Sequence, residues 1–165
     1  MSRARVGVVY TIGHSTRSIE ELVGLLRRFG IEVVVDIRRF PTSRRCPWFG
    51  KEELMGALAR EGLGYRHIGD LLGGYRTGGY EAYTRTAAYR EGVRRLLEVA
   101  GQRRAAILCS ERFPWKCHRR FVARTLEGMG IPVVHIIGEG RTWMAKGSRR
   151  LVGERIAKSL EGRAP

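Results

Sequence analysis

The sequence predicts a single Rossmann-like α/β domain of three layers, with a mainly parallel sheet of about five strands and helices on both faces. Three observations lead there. Short apolar runs alternate with amphipathic segments along the whole chain. The strand candidates are near-continuous apolar runs, the pattern of parallel strands covered on both sides. At 165 residues the chain can build one domain with its own core and is short for two.

The first strand is expected over Val6 to Thr11. A helix follows from Ser18 to Phe29: Ser18 and Glu21 have capping-box spacing, Ile19, Leu22, Val23 and Leu26 share one face, and Gly30 stops it. A strand over Glu32 to Ile37 leads into residues 40–50, FPTSRRCPWFG, and a helix over Lys51 to Arg60 is closed by Gly62 and Gly64. A short strand, Tyr65 to Ile68, precedes residues 69–86, GDLLGGYRTGGYEAYTRT; both irregular stretches read as functional loops. Then come a helix from Ala87 to Ala100 with Val93, Leu96 and Leu97 inward, a strand over Ala105 to Cys109, a helix after Pro114 to about Gly128, and a strand over Val133 to Ile137. Residues 1–140 are assigned to the α/β domain. Residues 141–165, with seven basic and two acidic side chains, form a basic C-terminal extension predicted to be helical on Leu151, Ile156 and Leu160.

Composition narrows the function classes. With 43% apolar and 28% charged residues the chain is not a disordered one. No apolar run approaches the ~20 residues that span a bilayer, and the N-terminus lacks the apolar core of a secretory signal, so a cytoplasmic protein without membrane contact is expected. The net charge is +15, and only four of the 31 cations are lysines. The planar fork of Arg suits phosphates, so an anionic ligand or nucleic acid is the expected partner; a merely solvated basic face is the alternative. Neither GxGxxG nor GxxxxGK[ST] occurs, and no cofactor is expected.

In an open parallel sheet, ligands bind beyond the carboxyl ends of the strands. Cys109 and Glu111 are placed at such an end, and Cys117, His118 and Arg119 in the first turn of the next helix, where the helix dipole and neighbouring cations favour a thiolate. Adjacent helical residues point about 100° apart, so His118 is not expected to activate Cys117. His14, from another strand end, is the expected acid or base, oriented by Glu111 or Asp36. The candidate catalytic set is therefore Cys109, Cys117, His14, Glu111 and Asp36, and the candidate substrate-binding set is Ser15, Arg38, Arg44, Arg45, His118 and Arg119. Trp48, Phe49, Tyr75, Tyr80, Tyr83 and Trp115 are available to stack bases.

Blander roles compete with these. Cys109 alone reads more readily as packing, Cys46 as structural, Ser15 as a turn residue, and His67 and His135 as hydrogen-bonded structure. A zinc site is weakly signalled, because seven residues separate Cys109 from Cys117 and no CxxC pair occurs, and no metal ligand is assigned. A disulfide between Cys109 and Cys117 is sterically conceivable but disfavoured in a reducing compartment.

Thr11-Ile12-Gly13-His14-Ser15, then Val35-Asp36-Ile37-Arg38 with Phe40-Pro41 and Ser43-Arg44-Arg45, then Cys109-x-Glu111 with Cys117-His118-Arg119, resemble the domain of unknown function 488 family over roughly residues 10–137. The resemblance implies a compact α/β domain and marks these motif positions without supplying a reaction. Cys46-Pro47-Trp48 and Gly69-Asp70-Leu71-Leu72 depart from the family pattern. The expected function is a Cys-dependent enzyme acting on a phosphate-bearing substrate, a nucleotide or nucleic acid. The alternatives are a non-catalytic nucleic-acid-binding module and a zinc-stabilised structural domain.

Overall fold

Five parallel strands and one short antiparallel strand form the sheet in this computed structural model, which describes residues 6–161. The parallel strands are β1 (Val9–Gly13), β2 (Val33–Asp36), β3 (Gly64–His67), β4 (Ala105–Cys109) and β5 (Val133–Gly138). They lie in the order β3-β2-β4-β1-β5, and β6 (Arg141–Trp143) runs back along β5. Helices α1 (Ile19–Arg28) and α2 (Lys51–Arg60) cover one face; α5 (Ala87–Gln102) and α6 (Arg119–Gly128) cover the other. This is the three-layer α/β domain the sequence predicts.

Two cores follow from the period-two alternation of the strands. Ala105, Ile107 and Cys109 of β4 point into the layer under α5 and α6, with Val93, Leu96, Val122 and Leu126. Ala106 and Leu108 point the other way, against Leu22, Leu26, Leu54 and Leu58. The capping box at the start of α1 is present in full: Ser18 accepts from the Glu21 amide, and the Glu21 carboxylate accepts from the Ser18 amide.

Strand boundaries shift by one to three residues. β1 begins at Val9 rather than Val6 and extends to Gly13, because its limits are set by its neighbours: Tyr10 pairs with Ala106, Gly13 with Cys109 and Val9 with Val133. Residues 69–86 carry two single-turn helices, α3 (Gly69–Leu72) and α4 (Tyr80–Tyr83). The basic extension opens as β6, joined to β5 by a hairpin with Gly140 at φ +65°, and continues as α7 (Lys146–Glu161). The Ser148 hydroxyl, fully buried, accepts from the Val133 amide and so ties α7 to the start of β5. Residues 1–5 of the expected domain, residues 162–165 of the extension and the side chain of Leu160 lie outside the described part. Among the described residues no helix is long and apolar enough to cross a membrane.

Gly13 matters for the site above it. A Cβ at this position would fall on the carbonyl oxygen of Glu111, so only glycine lets the segment after β4 cross the end of β1. Gly13→Ala should therefore lower stability by about 1–3 kcal/mol or more. Gly24→Ala, where a Cβ meets open space in the exposed face of α1, should raise it by up to about 1 kcal/mol. Urea unfolding of both variants measures the contrast.

Candidate active site at the carboxyl ends of β1 and β4

The chain leaves β1 toward α1 on one face and leaves β4 toward α6 on the other. Adjacent strands whose connections diverge in this way open a crevice at their carboxyl ends. Gly13 and Cys109 face each other across that crevice, and the pairing continues one step beyond the strands: the amides of His14 and Ser15 donate to the carbonyls of Cys109 and Ser110 at 2.9 and 3.0 Å. Ser15 then takes a left-handed conformation, φ +48°, at the turn toward α1.

On the α5/α6 side the two cysteines meet. Their sulfurs are 3.0 Å apart, both buried. Cys117 sits at the end of a single 3₁₀ turn (Pro114–Lys116) with extended backbone, φ −134° and ψ 151°, just before the N-cap His118 of α6. It is therefore not within the helix, as the sequence suggested. That geometry turns its sulfur toward three donors: the Cys109 thiol at 3.0 Å, the Arg119 amide at 3.5 Å and His118 Nδ1 at 3.7 Å. The Cys109 hydrogen bond, helped by His118 and by the Arg119 amide against the opposing effect of burial, pulls the Cys117 pKa down to about 4. Cys109 moves the other way, because burial and its bond to Cys117 hold its thiol protonated. The pair shares one negative charge, carried on Cys117.

Arg119 is fully buried under the same crevice. Its Nη2 donates to the carbonyls of Glu111 and Arg112 at 2.7 and 2.9 Å, and its Nη1 to the Thr11 hydroxyl at 3.3 Å. Thr11 in turn lies 2.6 Å from His135 Nδ1. His135 is held neutral: burial, then the charge of Arg119, lowers its pKa to about 3. Arg17, also buried, donates to the carbonyls of Gly13 and Ile137. Burial and the charge of Arg112 lower its pKa, Glu21 partly offsets this, and Arg119 adds to it. Among the described residues no carboxylate forms an ion pair with Arg17, Arg112 or Arg119.

The expected constellation does not close as one group, because successive strand residues face opposite layers. His14, Asp36 and Arg38 belong to the α1/α2 side. His14 stacks on Phe49 at 4.5 Å between centroids and donates from Nδ1 to the Ser15 carbonyl. Burial dominates its pKa, which falls to about 4. Asp36 and Arg38 form a bidentate buried pair at 2.9 and 2.8 Å, Arg38 Nη1 donates to the Phe49 carbonyl, and the Tyr65 hydroxyl donates to Asp36. The donors of Arg38 are thus bound to protein groups, and neither Asp36 nor Glu111 orients His14. The Glu111 side chain is exposed and it is its carbonyl that the structure uses; Arg44 and Arg45 are also exposed. His118, not His14, stands beside Cys117. The 100° argument assumed two helical residues, and Cys117 is extended.

Arg17 was missed by sequence reasoning, although an arginine just before a helix start, where a cation is disfavoured, is itself a signal. Of the aromatics, Phe49 is buried, while the Tyr80 and Tyr83 hydroxyls donate to the Leu72 and Leu71 carbonyls and their rings pack against the α5/α6 core. Trp48, Tyr75 and Trp115 are exposed. Among the described residues no group of three or more His, Cys, Asp or Glu is arranged to hold a metal ion. A cavity of about 1190 Å³ lies at the opposite end of the sheet between α5 and α7.

Fold and site together define a Rossmann-like α/β domain with a buried thiol pair at its switch point. Within that class the chain belongs to the family described as domain of unknown function DUF488, whose pattern it matches over residues 18–126. The match includes Asp36, Arg38, Cys109, Cys117 and Arg119 and begins after His14 and Ser15. No curated protein and no solved structure matches the chain.

His14 and His135 give a pH test. Both are neutral in the folded chain where an unfolded histidine would be charged, so the unfolded state binds more protons below about pH 6.5 and stability falls as pH drops from there toward the folded values near 4 and 3. The loss from His14 alone is on the order of 3 kcal/mol by pH 4. Urea midpoints of wild type and His14→Gln between pH 4 and 7 should show a shallower slope in the variant.

Proposed function

We propose that the protein is an enzyme in which the Cys117 thiolate attacks an electrophilic centre of a phosphate-bearing substrate, a nucleotide or nucleic acid. The observation that carries this reading is the convergence of three donors on one sulfur at the switch point of the sheet. A nucleophile needs a lone pair free of its proton at neutral pH, and that environment supplies it. The bond from the electrophilic centre to its leaving group breaks as the sulfur adds, and His118 Nδ1 is placed to protonate the departing group. The phosphate class is supported by Arg17, Arg112 and Arg119, three cations that feel one another and have no carboxylate partner among the described residues. An incoming dianion would relieve their repulsion.

A second reading, a nucleic-acid-binding module without catalysis, is favoured by one other observation. Phe113 and Trp115 stack at 5.1 Å, and Trp143 meets Trp115 edge-on at 5.4 Å. Both tryptophans are more than 40% exposed, among the exposed cations Arg112, Lys116, Arg120 and Arg141. Such a surface holds bases by stacking and phosphates by charge.

Alkylation separates the two. Under the enzyme reading, Cys117 reacts with iodoacetamide as fast at pH 5.5 as at pH 7.5, slowing only near pH 4, while Cys109 and Cys46 stay unmodified in the folded protein. Adenosine monophosphate slows the reaction, and Arg112→Ala weakens that protection by about tenfold, the effect of ~1.4 kcal/mol. Failure of Cys117 to react until the chain unfolds, with salt-sensitive oligonucleotide binding retained in Cys117→Ser, would establish the module instead.

A further inference from the structure

We propose that Cys109 and Cys117 are a dithiol–disulfide couple, which cycles by exchange with a low-molecular-weight disulfide such as oxidised glutathione. The inference rests on the reading of Cys117 as the nucleophile. It adds a second role for Cys109, as the resolving thiol.

Geometry carries it. The two sulfurs are 3.0 Å apart, about 1 Å beyond disulfide bonding distance, and no other atom lies on the path between them. They come from different elements, the end of β4 and the segment before α6, so small rotations of either side chain bring them together without moving the sheet. The third cysteine, Cys46, is on the other face of the sheet in the α1/α2 core, with its sulfur 3.7 Å from the Ser15 carbonyl. It has no part in the couple.

The chemistry balances in two exchanges. First the Cys117 thiolate attacks one sulfur of the oxidant, R–S–S–R; a Cys117–S–S–R bond forms and R–S⁻ leaves. Then Cys109 attacks Sγ of Cys117, its proton passing to the departing sulfur, so that Cys109–S–S–Cys117 forms and R–SH leaves. Two protein sulfurs are oxidised and one small disulfide is reduced to two thiols. The charge rearrangement favours this order. While Cys117 is a thiolate, it accepts the Cys109 proton and keeps Cys109 inert. Once Cys117 is capped, that acceptor is gone, and the positive charge of Arg119, which favours the Cys109 thiolate, works against burial alone. A transient bond of this kind is the form in which disulfides occur in reducing compartments.

Oxidation also alters the start of α6. The Cys117 sulfur accepts the Arg119 amide, an otherwise unpaired helix N-terminal donor, and a neutral disulfide sulfur is a poorer acceptor than a thiolate.

The test equilibrates the full chain in glutathione redox buffers at pH 7, quenches it in acid, alkylates free thiols and maps the peptides by mass spectrometry. The expected wild-type product is one Cys109–Cys117 cross-link, lost on adding a dithiol reductant and unaffected by Cys46→Ser. In Cys109→Ser, glutathione remains on Cys117 as a stable mixed disulfide and accumulates at least tenfold over wild type, about 1.4 kcal/mol of lost resolution. Far-UV circular dichroism of the variant confirms that it is folded. Retention of the mixed disulfide on wild-type Cys117 would overturn the couple while leaving the nucleophile reading intact, as would absence of any oxidation when Cys117 still alkylates at low pH. A Cys109–Cys117 cross-link in a protein whose Cys117 alkylates with an ordinary thiol pH profile would support the couple and remove the enzyme proposal.

Discussion

The site depends on the guanidinium of Arg119. It is buried completely, and burying a cation costs several kcal/mol. Three hydrogen bonds from its two Nη atoms, to Glu111, Arg112 and Thr11, are each worth about 1.5–3 kcal/mol because the donor is charged, enough to offset that cost but with little to spare. In return Arg119 fixes the path of residues 110–117. The Glu111 carbonyl it holds is also the atom packed over Gly13, and it lies 3.6 Å from the Cys109 sulfur. Arginine, carbonyl, glycine and thiol thus fix one another, and a change at any of them reaches Cys117.

On the α1/α2 side, hydrogen bonds link Asp36 to Arg38 and Tyr65 and Arg38 to the Phe49 carbonyl, and His14 stacks on Phe49, which braces the segment after β2. His67 adds to this by donating to the Arg38 carbonyl at 2.7 Å. Buried nitrogens without a partner occur on both sides among the described residues: Nε2 of His14 on the α1/α2 face, and Nε2 of His118 and Nε of Arg119 on the α5/α6 face.

Much of this was legible in the sequence. Apolar runs located all five parallel strands, Ser18 with Glu21 located a helix start, and the position of Cys109 at a strand end pointed to the crevice. What did not show was which layer each strand-end side chain enters, since a one-residue shift in a strand boundary reverses it. Asp36 and Arg38 looked like separate site residues because their mutual pairing depends on the chain turning directly after β2. The neighbourly placement of Cys117 and His118 was hidden by a single extended residue before α6. β6 was hidden as well: Arg141–Trp143 is three exposed residues whose strand character comes only from pairing with β5.

β6 and α7 are attached to the rest of the fold lightly. A short hairpin, the Ser148 hydroxyl bond to Val133 and the hydrogen bond from Arg155 to the Gly130 carbonyl hold them against a sheet that is otherwise complete without them. Such an element opens as its own cooperative unit, at a lower free energy than the central strands. Trp143 rides on that unit, while Trp115, its edge-on partner, belongs to the segment that carries Cys117. Opening of the C-terminal unit would thus loosen the Trp115 side of the crevice rim, whereas its floor is built on the central strands β1 and β4.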